Sequence, residues 1–241
     1  MKNKIMKGCF EWMLFISFFC ASISLVDAQN LPLSSYGLPY INSISLYKES
    51  LINHPEKQMI SLLNISGIIL NLVYASNNNF MHKKLYEGNV KTTFLRKPAY
   101  NALDSVSSFL AKQGLVLVIY DAYRPYSVTE KLWDNIKDER YAANPSKGSG
   151  HNRGIAVDLT LADLRTHELL PMPTGFDNFS DSAHQDFKEL DIHVTANRNL
   201  LKRVMEKYGF IQLPTEWWHF SWPDKIGFEV LDLDFDELNT F

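Results

Sequence analysis

Two short runs are apolar at nearly every position: LVLVIYDAY at 115–123 and, broken by one aspartate, IAVDLTL at 155–161. Runs this short and this apolar read as buried strands. SGIILNLVYAS (66–76) is rich in β-branched and large apolar residues and predicts another strand. FIQLPTEWWHFSW (210–222) is strand-like but interrupted by Pro214. Three segments instead carry the helical period. In 98–114, Pro98 suits a first turn, Leu103, Val106 and Leu110 share a face, and Gly114 can end the helix. Residues 127–140 open with Ser127 and Glu130 at capping-box spacing. The stretch 195–210 has Thr195 as cap and Gly209 as terminator. Residues 29–58 read as an extended entry with turn signals, 77–89 as loop, and 163–194 as mostly polar with PMPTGFD (171–177) as an ordered loop. Strands and helices mix without a regular βαβ rhythm, which predicts an α+β fold rather than a doubly wound sheet.

Composition changes this picture at the start of the chain. Residues 1–28 run from a lysine-bearing MKNKIMKG through FEWMLFISFFCASISLV to a small-residue exit, with Val26 and Ala28 at −3 and −1 of a cut after Ala28. That is the order of a secretory signal peptide, and the apolar run is short for a membrane span. The expected organisation is a signal peptide over 1–28, an N-terminal extension over 29–65 and the main domain over 66–241. Cys9 and Cys20, the two cysteines of the chain, both lie in the signal. The mature protein is then expected to have no disulfide, no thiolate and no stable membrane span. An exported, periplasmic location follows, or a cytoplasmic one if the segment is no signal. The net charge of −3, without a block of five like charges, excludes the footprint of a nucleic-acid binder.

The candidate chemistry lies in polar residues set within apolar runs: Asp121, Asp158, and Glu216 with His219. Each alone has an ordinary structural reading, as cap, ion pair or core histidine. Together with His151 they suggest more. Two imidazoles and a carboxylate (His151, His219, Asp158) leave a zinc ion one open position, as catalytic zinc sites do. A buried Asp158 is costly without a partner, and a metal would be that partner. His151 and Asp158 are seven residues apart, so one strand cannot present both on a face. A turn must intervene, and Gly150 and Gly154 make one easy. Glu216, three residues before His219, could take a proton from a zinc-bound water and pass it to a leaving amine.

SGHNRGIAVD has the form S-x-H-x-x-G-x-A-x-D, and EWWH has the form E-x-W-H. This pair resembles the zinc peptidases that include VanX-type D-alanyl-D-alanine dipeptidases, bacterial D,D-carboxypeptidases and the hedgehog signalling domain. YDAYRPYSV (120–128), MPTGFD (172–177) and YASNNNF (74–80) resemble the dipeptidase branch in particular. The resemblance covers about residues 66–222. It implies a single-domain zinc fold with a mixed, mainly antiparallel sheet flanked by helices. It also implies one Zn²⁺ per chain on His151, Asp158 and His219, with Glu216 as general base. Arg124 matches the arginine that stabilises the tetrahedral intermediate, a role suited to a fixed guanidinium. Ser149 matches a substrate-contact serine, and Asp177 with Tyr74 the residues that hold the substrate's ammonium group.

The implied activity is hydrolysis of the small dipeptide D-Ala-D-Ala to two D-alanines. Export sets this chain apart from the resistance dipeptidases, which act in the cytoplasm. An exported enzyme suits recycling or nutrient use of released dipeptide. It also suits a second reading, a cell-wall D,D- or L,D-carboxypeptidase that trims peptidoglycan stems. A GFD loop that captures a free amino terminus favours the dipeptidase. A binding protein that keeps zinc without catalysis would have no use for both Glu216 and Arg124. The stretch before Ser66 has no counterpart in the resemblance.

Overall fold

The computed structural model describes residues 31–240; the expected signal peptide lies outside them. A five-stranded sheet organises the chain, in the order β3 (Ile68–Leu70), β5 (Leu115–Asp121), β6 (Ala156–Asp163), β8 (Glu216–Ser221), β7 (Ile211–Leu213). The pair β3–β5 is parallel and the other three are antiparallel. The fold is thus a single α+β domain with a mixed, mainly antiparallel sheet. Two further pairs stand apart: β1 (Tyr40–Ile41) runs parallel to β9 (Val230–Leu231), and β2 (Met59–Ser61) antiparallel to β4 (Phe94–Arg96). The helices are α1 (Ile44–Leu51), α2 (Lys97–Ala111), α3 (Tyr126–Ile136), α4 (Ile192–Lys207) and α5 (Phe235–Asn239). Among the described residues no helix is long and apolar enough to cross a membrane.

The main core lies between the sheet and the pair α2 and α4. The stripe Leu103, Val106 and Leu110 of α2 is fully buried there with Leu201 and Met205 of α4, against Leu117, Ile119, Leu159 and Leu161. Each such side chain contributes about 1.5–3 kcal/mol by leaving water. A second core joins the two ends of the described residues. Ile41, Tyr47 and Met59 from the N-terminal side meet Leu231, Leu233, Phe235 and Leu238 from the C-terminal side, around Tyr123, Val128 and Leu132.

Several local expectations are corrected. The entry segment is not extended throughout: α1 stands in it, capped by Ser43 and turning Tyr47 into the second core. The strand expected over 66–76 is paired only at Ile68–Leu70, after which Val73–Ala75 forms a 3₁₀ turn. The Ser127/Glu130 capping box does not form, because Pro125 starts α3 two residues earlier. The Ser127 amide instead donates to Asp232 Oδ1, and Glu130 accepts from Ser35 Oγ. That helix stops at Ile136, where Lys137 turns left-handed (φ 48°). Helix α4 begins a turn before Thr195, with Asp191 accepting from the His193 amide at 2.7 Å.

Candidate active site

The site stands on a row that crosses three strands. Asp121 of β5 lies opposite Asp158 of β6, and Asp158 lies opposite His219 of β8. Residues opposed across antiparallel strands share a face, so this row points one way. The register of β5 shifts between Ile119 and Asp121, which lets Asp121 join it. His151 arrives from the loop before β6. Gly154 turns that loop at φ 68°, and a Cβ there would stand 2.5 Å from Met59 Sδ. At Gly150 a Cβ would come within 2.9 Å of the Ala156 Cβ. The two glycines therefore let the loop double back over β6, which answers the seven-residue offset.

His151, Asp158 and His219 bring one ligand atom each within 4.8 Å of the others. His151 Nδ1 donates to the Ala122 carbonyl at 2.7 Å, which leaves the Nε2 lone pair facing the centre. His219 Nε2 lies 3.1 Å from Ser221 Oγ, which leaves Nδ1 facing the centre. Those two inward nitrogens are 3.3 Å apart, and His151 Nε2 is 3.3 Å from Asp158 Oδ2. Ligands at zinc distances on a tetrahedron would be separated by about 3.3 Å. The donor set, the tautomer that the Ala122 carbonyl imposes on His151 and the clustering of the three ligand atoms, with His219 Nδ1 2.8 Å from Asp158 Oδ1, fit one zinc ion. Burial would raise the Asp158 carboxyl, but His151 and His219 outweigh it and hold it well below the usual carboxylate range.

Around this centre lies a cavity of about 250 Å³. Eight of the nine residues singled out in the sequence line it: His151, Asp158, His219, Glu216, Arg124, Ser149, Asp177 and Tyr74; Asp121 lies behind Arg124. Glu216 opens β8 beside the hairpin where the register shifts between Gln212 and Leu213, and its Oε2 stands 4.0 Å from His219 Nδ1. An offset of three would put the two on opposite faces of a regular strand; the irregular hairpin puts both in the cavity. Burial pushes the Glu216 carboxyl up to about 7.

Arg124 is buried and tied down. Its Nε and Nη2 donate to Asp121 Oδ2 at 2.9 and 2.7 Å, its guanidinium carbon lies 5.0 Å from the Tyr74 ring centre, and Nη2 reaches within 3.9 Å of Asp158 Oδ2. Asp121 is itself held by the Tyr86 hydroxyl and by the Ala122 amide. At the other end, the Tyr74 hydroxyl reaches both carboxylate oxygens of Asp177, at 3.2 and 3.0 Å. Asp177 sits at φ 58°, a left-handed position that aspartate tolerates. Burial, helped by the charge of Asp158, pushes its carboxyl up to about 7. The loop carrying it is pinned by Phe176, stacked 4.8 Å from Tyr120, and by Thr174, which accepts from the Trp217 indole at 2.9 Å. Trp217 and Trp218 are almost wholly buried, and Trp218 also forms part of the cavity wall.

Sequence reasoning left some of the site out. Asp121 was visible as a carboxylate ending an apolar run, but nothing in that run shows that it clamps Arg124. Tyr86 sits in a stretch that reads as loop and carries no signal. Phe80, Tyr141 and Phe179 come from three separate loops to line the same cavity, with ring centres 5.2 Å (Phe80–Phe179) and 4.7 Å (Tyr141–Phe179) apart.

The chain matches the Peptidase_M15 family model, described as D-ala-D-ala dipeptidase, over residues 63–238. It is 36% identical to a D-alanyl-D-alanine dipeptidase of Escherichia coli over 162 residues, 67% of this chain and 82% of that one. It is 30% identical to one of Enterococcus faecalis over 179 residues, 67% of this chain and 89% of that one. A vancomycin resistance D,D-pentapeptidase solved in complex with Zn(II) overlaps with a TM-score of 0.38 at 15% identity, over 56% of this chain and 76% of that one, a likeness too loose to argue from. The family model and the curated relatives agree with the cavity: this chain is a hydrolase and belongs to the D-Ala-D-Ala dipeptidase family of the M15 peptidases.

Proposed function

We propose that this protein hydrolyses the free dipeptide D-Ala-D-Ala to two D-alanines, with one zinc ion held by His151, Asp158 and His219. One observation carries the reading: a single small cavity holds a zinc-type donor triangle, the partly buried carboxyl of Glu216, a buried guanidinium and, beside it, the Tyr74–Asp177 pair. A bound zinc supplies a Lewis acid that makes water acidic and polarises a carbonyl.

The chain's own groups do the rest. Glu216, with its carboxyl pushed up to about 7, is suited to take a proton from the attacking water and give it to the departing amine. Arg124, immobilised by Asp121, places positive charge where the carbonyl oxygen becomes an oxyanion. Asp177 receives the substrate's ammonium group, which must lose water to enter and needs a counter-charge there. The Tyr74 hydroxyl holds that carboxylate in place. Ser149 offers its hydroxyl to the substrate from the cavity wall. Removal of residues 1–28 on export, and a periplasmic site of action on released dipeptide, complete the proposal.

The test compares zinc-loaded protein on D-Ala-D-Ala, on its N-acetyl derivative and on a pentapeptide stem. The free dipeptide should be cleaved and the blocked and longer peptides should be poor substrates. Equal rates on all three would replace the dipeptidase with a stem-trimming carboxypeptidase.

A further inference from the structure

Asn152 follows a metal-ligating histidine in the sequence, is fully buried and lines no part of the cavity. Every polar group it has is used. Its Nδ2 donates to the Arg124 carbonyl at 2.9 Å and to Thr129 Oγ1 of α3 at 2.8 Å. Its Oδ1 accepts from the Ser149 amide at 3.0 Å, and its own amide donates to Ser149 Oγ at 3.1 Å. Its carbonyl accepts from the Leu231 amide of β9 at 3.0 Å. The amide orientation follows from chemistry: a carbonyl can only accept, so the NH₂ must face Arg124, and a backbone N–H can only donate, so Oδ1 must face Ser149.

The adjacent residue completes the grip. The Arg124 amide donates to the His151 carbonyl at 3.3 Å. His151 and Asn152 therefore hold both the N–H and the C=O of Arg124, one on each side of its Cα. Asp121 fixes the guanidinium end of the arginine. The root is fixed to the loop that presents His151.

We propose that Asn152 is a positioning residue that sets the distance between Arg124 and the metal-binding loop. It touches no reacting atom and acts through the backbone of Arg124. A side chain too short to reach the Arg124 carbonyl would free that peptide and the first turn of α3 together. The guanidinium would then lose its fixed place relative to the cleaved bond, while the metal ligands kept theirs. When the side chain is shortened, Ser149 is still held by the backbone amide of residue 152, which donates to Ser149 Oγ.

This inference rests on the reading of Arg124 as the group that stabilises the oxyanion. A double-mutant cycle between Asn152→Ala and Arg124→Ala tests it, read as kcat and KM for D-Ala-D-Ala, zinc per chain, and calorimetric affinity for a phosphinate analogue of the dipeptide. Alone, Asn152→Ala should lower kcat and phosphinate affinity by up to about 10²-fold, the scale of a small misplacement at a reacting centre. KM and zinc content should stay near wild type. In the Arg124→Ala background the same change should have almost no further effect on either readout, because the group it positions is gone. Equal fold losses in both backgrounds would overturn the proposal, as would a loss confined to KM. If Arg124→Ala alone left kcat and phosphinate affinity intact, the reading of Arg124 would fail and this inference with it. Should Asn152→Ala not fold, the cycle is run with Asn152→Asp, which is isosteric, still accepts from the Ser149 amide and lacks the donor for Arg124. The same non-additivity is expected of it, and additive losses would overturn the proposal equally.

Discussion

The cavity has a floor of sheet and a rim of loops. Asp121, Asp158 and His219 are locked in one row by the hydrogen bonds of β5, β6 and β8. Asp177, Phe80, Tyr141 and Phe179 come from segments outside the five-stranded sheet and are placed by side-chain contacts. The floor, with His151 and Arg124 tied to it through Ala122 and Asp121, carries the groups whose geometry a metal and a transition state would fix to fractions of an ångström. On the proposed reading, the rim carries the groups that choose which molecule enters. Strands hold side chains more tightly than loops do, and loops accept change more readily. Metal binding and turnover should therefore fail at the floor, and selectivity should fail at the rim.

The largest effect is expected at the floor. His219→Ala should take zinc from about one per chain to none and abolish turnover, since two ligands do not make the site. Metal analysis of the purified variant checks this, and full zinc retention would break the division. Glu216→Ala should separate metal from chemistry, lowering kcat by about 10²–10⁴-fold with zinc still bound. Steady-state kinetics beside metal analysis reads both quantities. At the rim, Asp177→Asn should leave zinc untouched and cost about 2–5 kcal/mol in kcat/KM for the free dipeptide, the scale for a buried charge that loses its partner. The same variant should narrow the gap between D-Ala-D-Ala and its N-acetyl form. The smallest effect lies outside both regions. Asp191→Ala removes the side-chain cap of α4 and should cost about 1 kcal/mol of stability with unchanged kcat. Thermal unfolding beside an activity assay separates the two.

The floor was more legible in the sequence than the rim. Buried strands announce themselves by apolar runs, and a carboxylate within IAVDLTL stands out because burying it needs a partner. The two glycines around His151 signalled the loop that brings it back over β6. Asp177 and Tyr74 could be named only through the family resemblance, because loop residues carry no periodicity. The aromatic contacts of Phe80, Tyr141 and Phe179 join positions far apart in the chain, which no local pattern encodes. Helix α1 could have been read from Ser43 as a cap and from Ile44, Tyr47 and Leu51 on one face, yet its neighbours' turn signals masked it. The Ser127/Glu130 spacing misled because Pro125 had already begun the helix.

The most direct test of the central claim is X-ray diffraction from zinc-loaded crystals of the protein, measured on both sides of the zinc absorption edge. One anomalous peak is expected per chain, about 2.0–2.2 Å from His151 Nε2, His219 Nδ1 and a carboxylate oxygen of Asp158. Glu216 should stand near the open position without touching the ion. A peak at other residues, a bond from Glu216, or no peak at these three side chains would contradict the account.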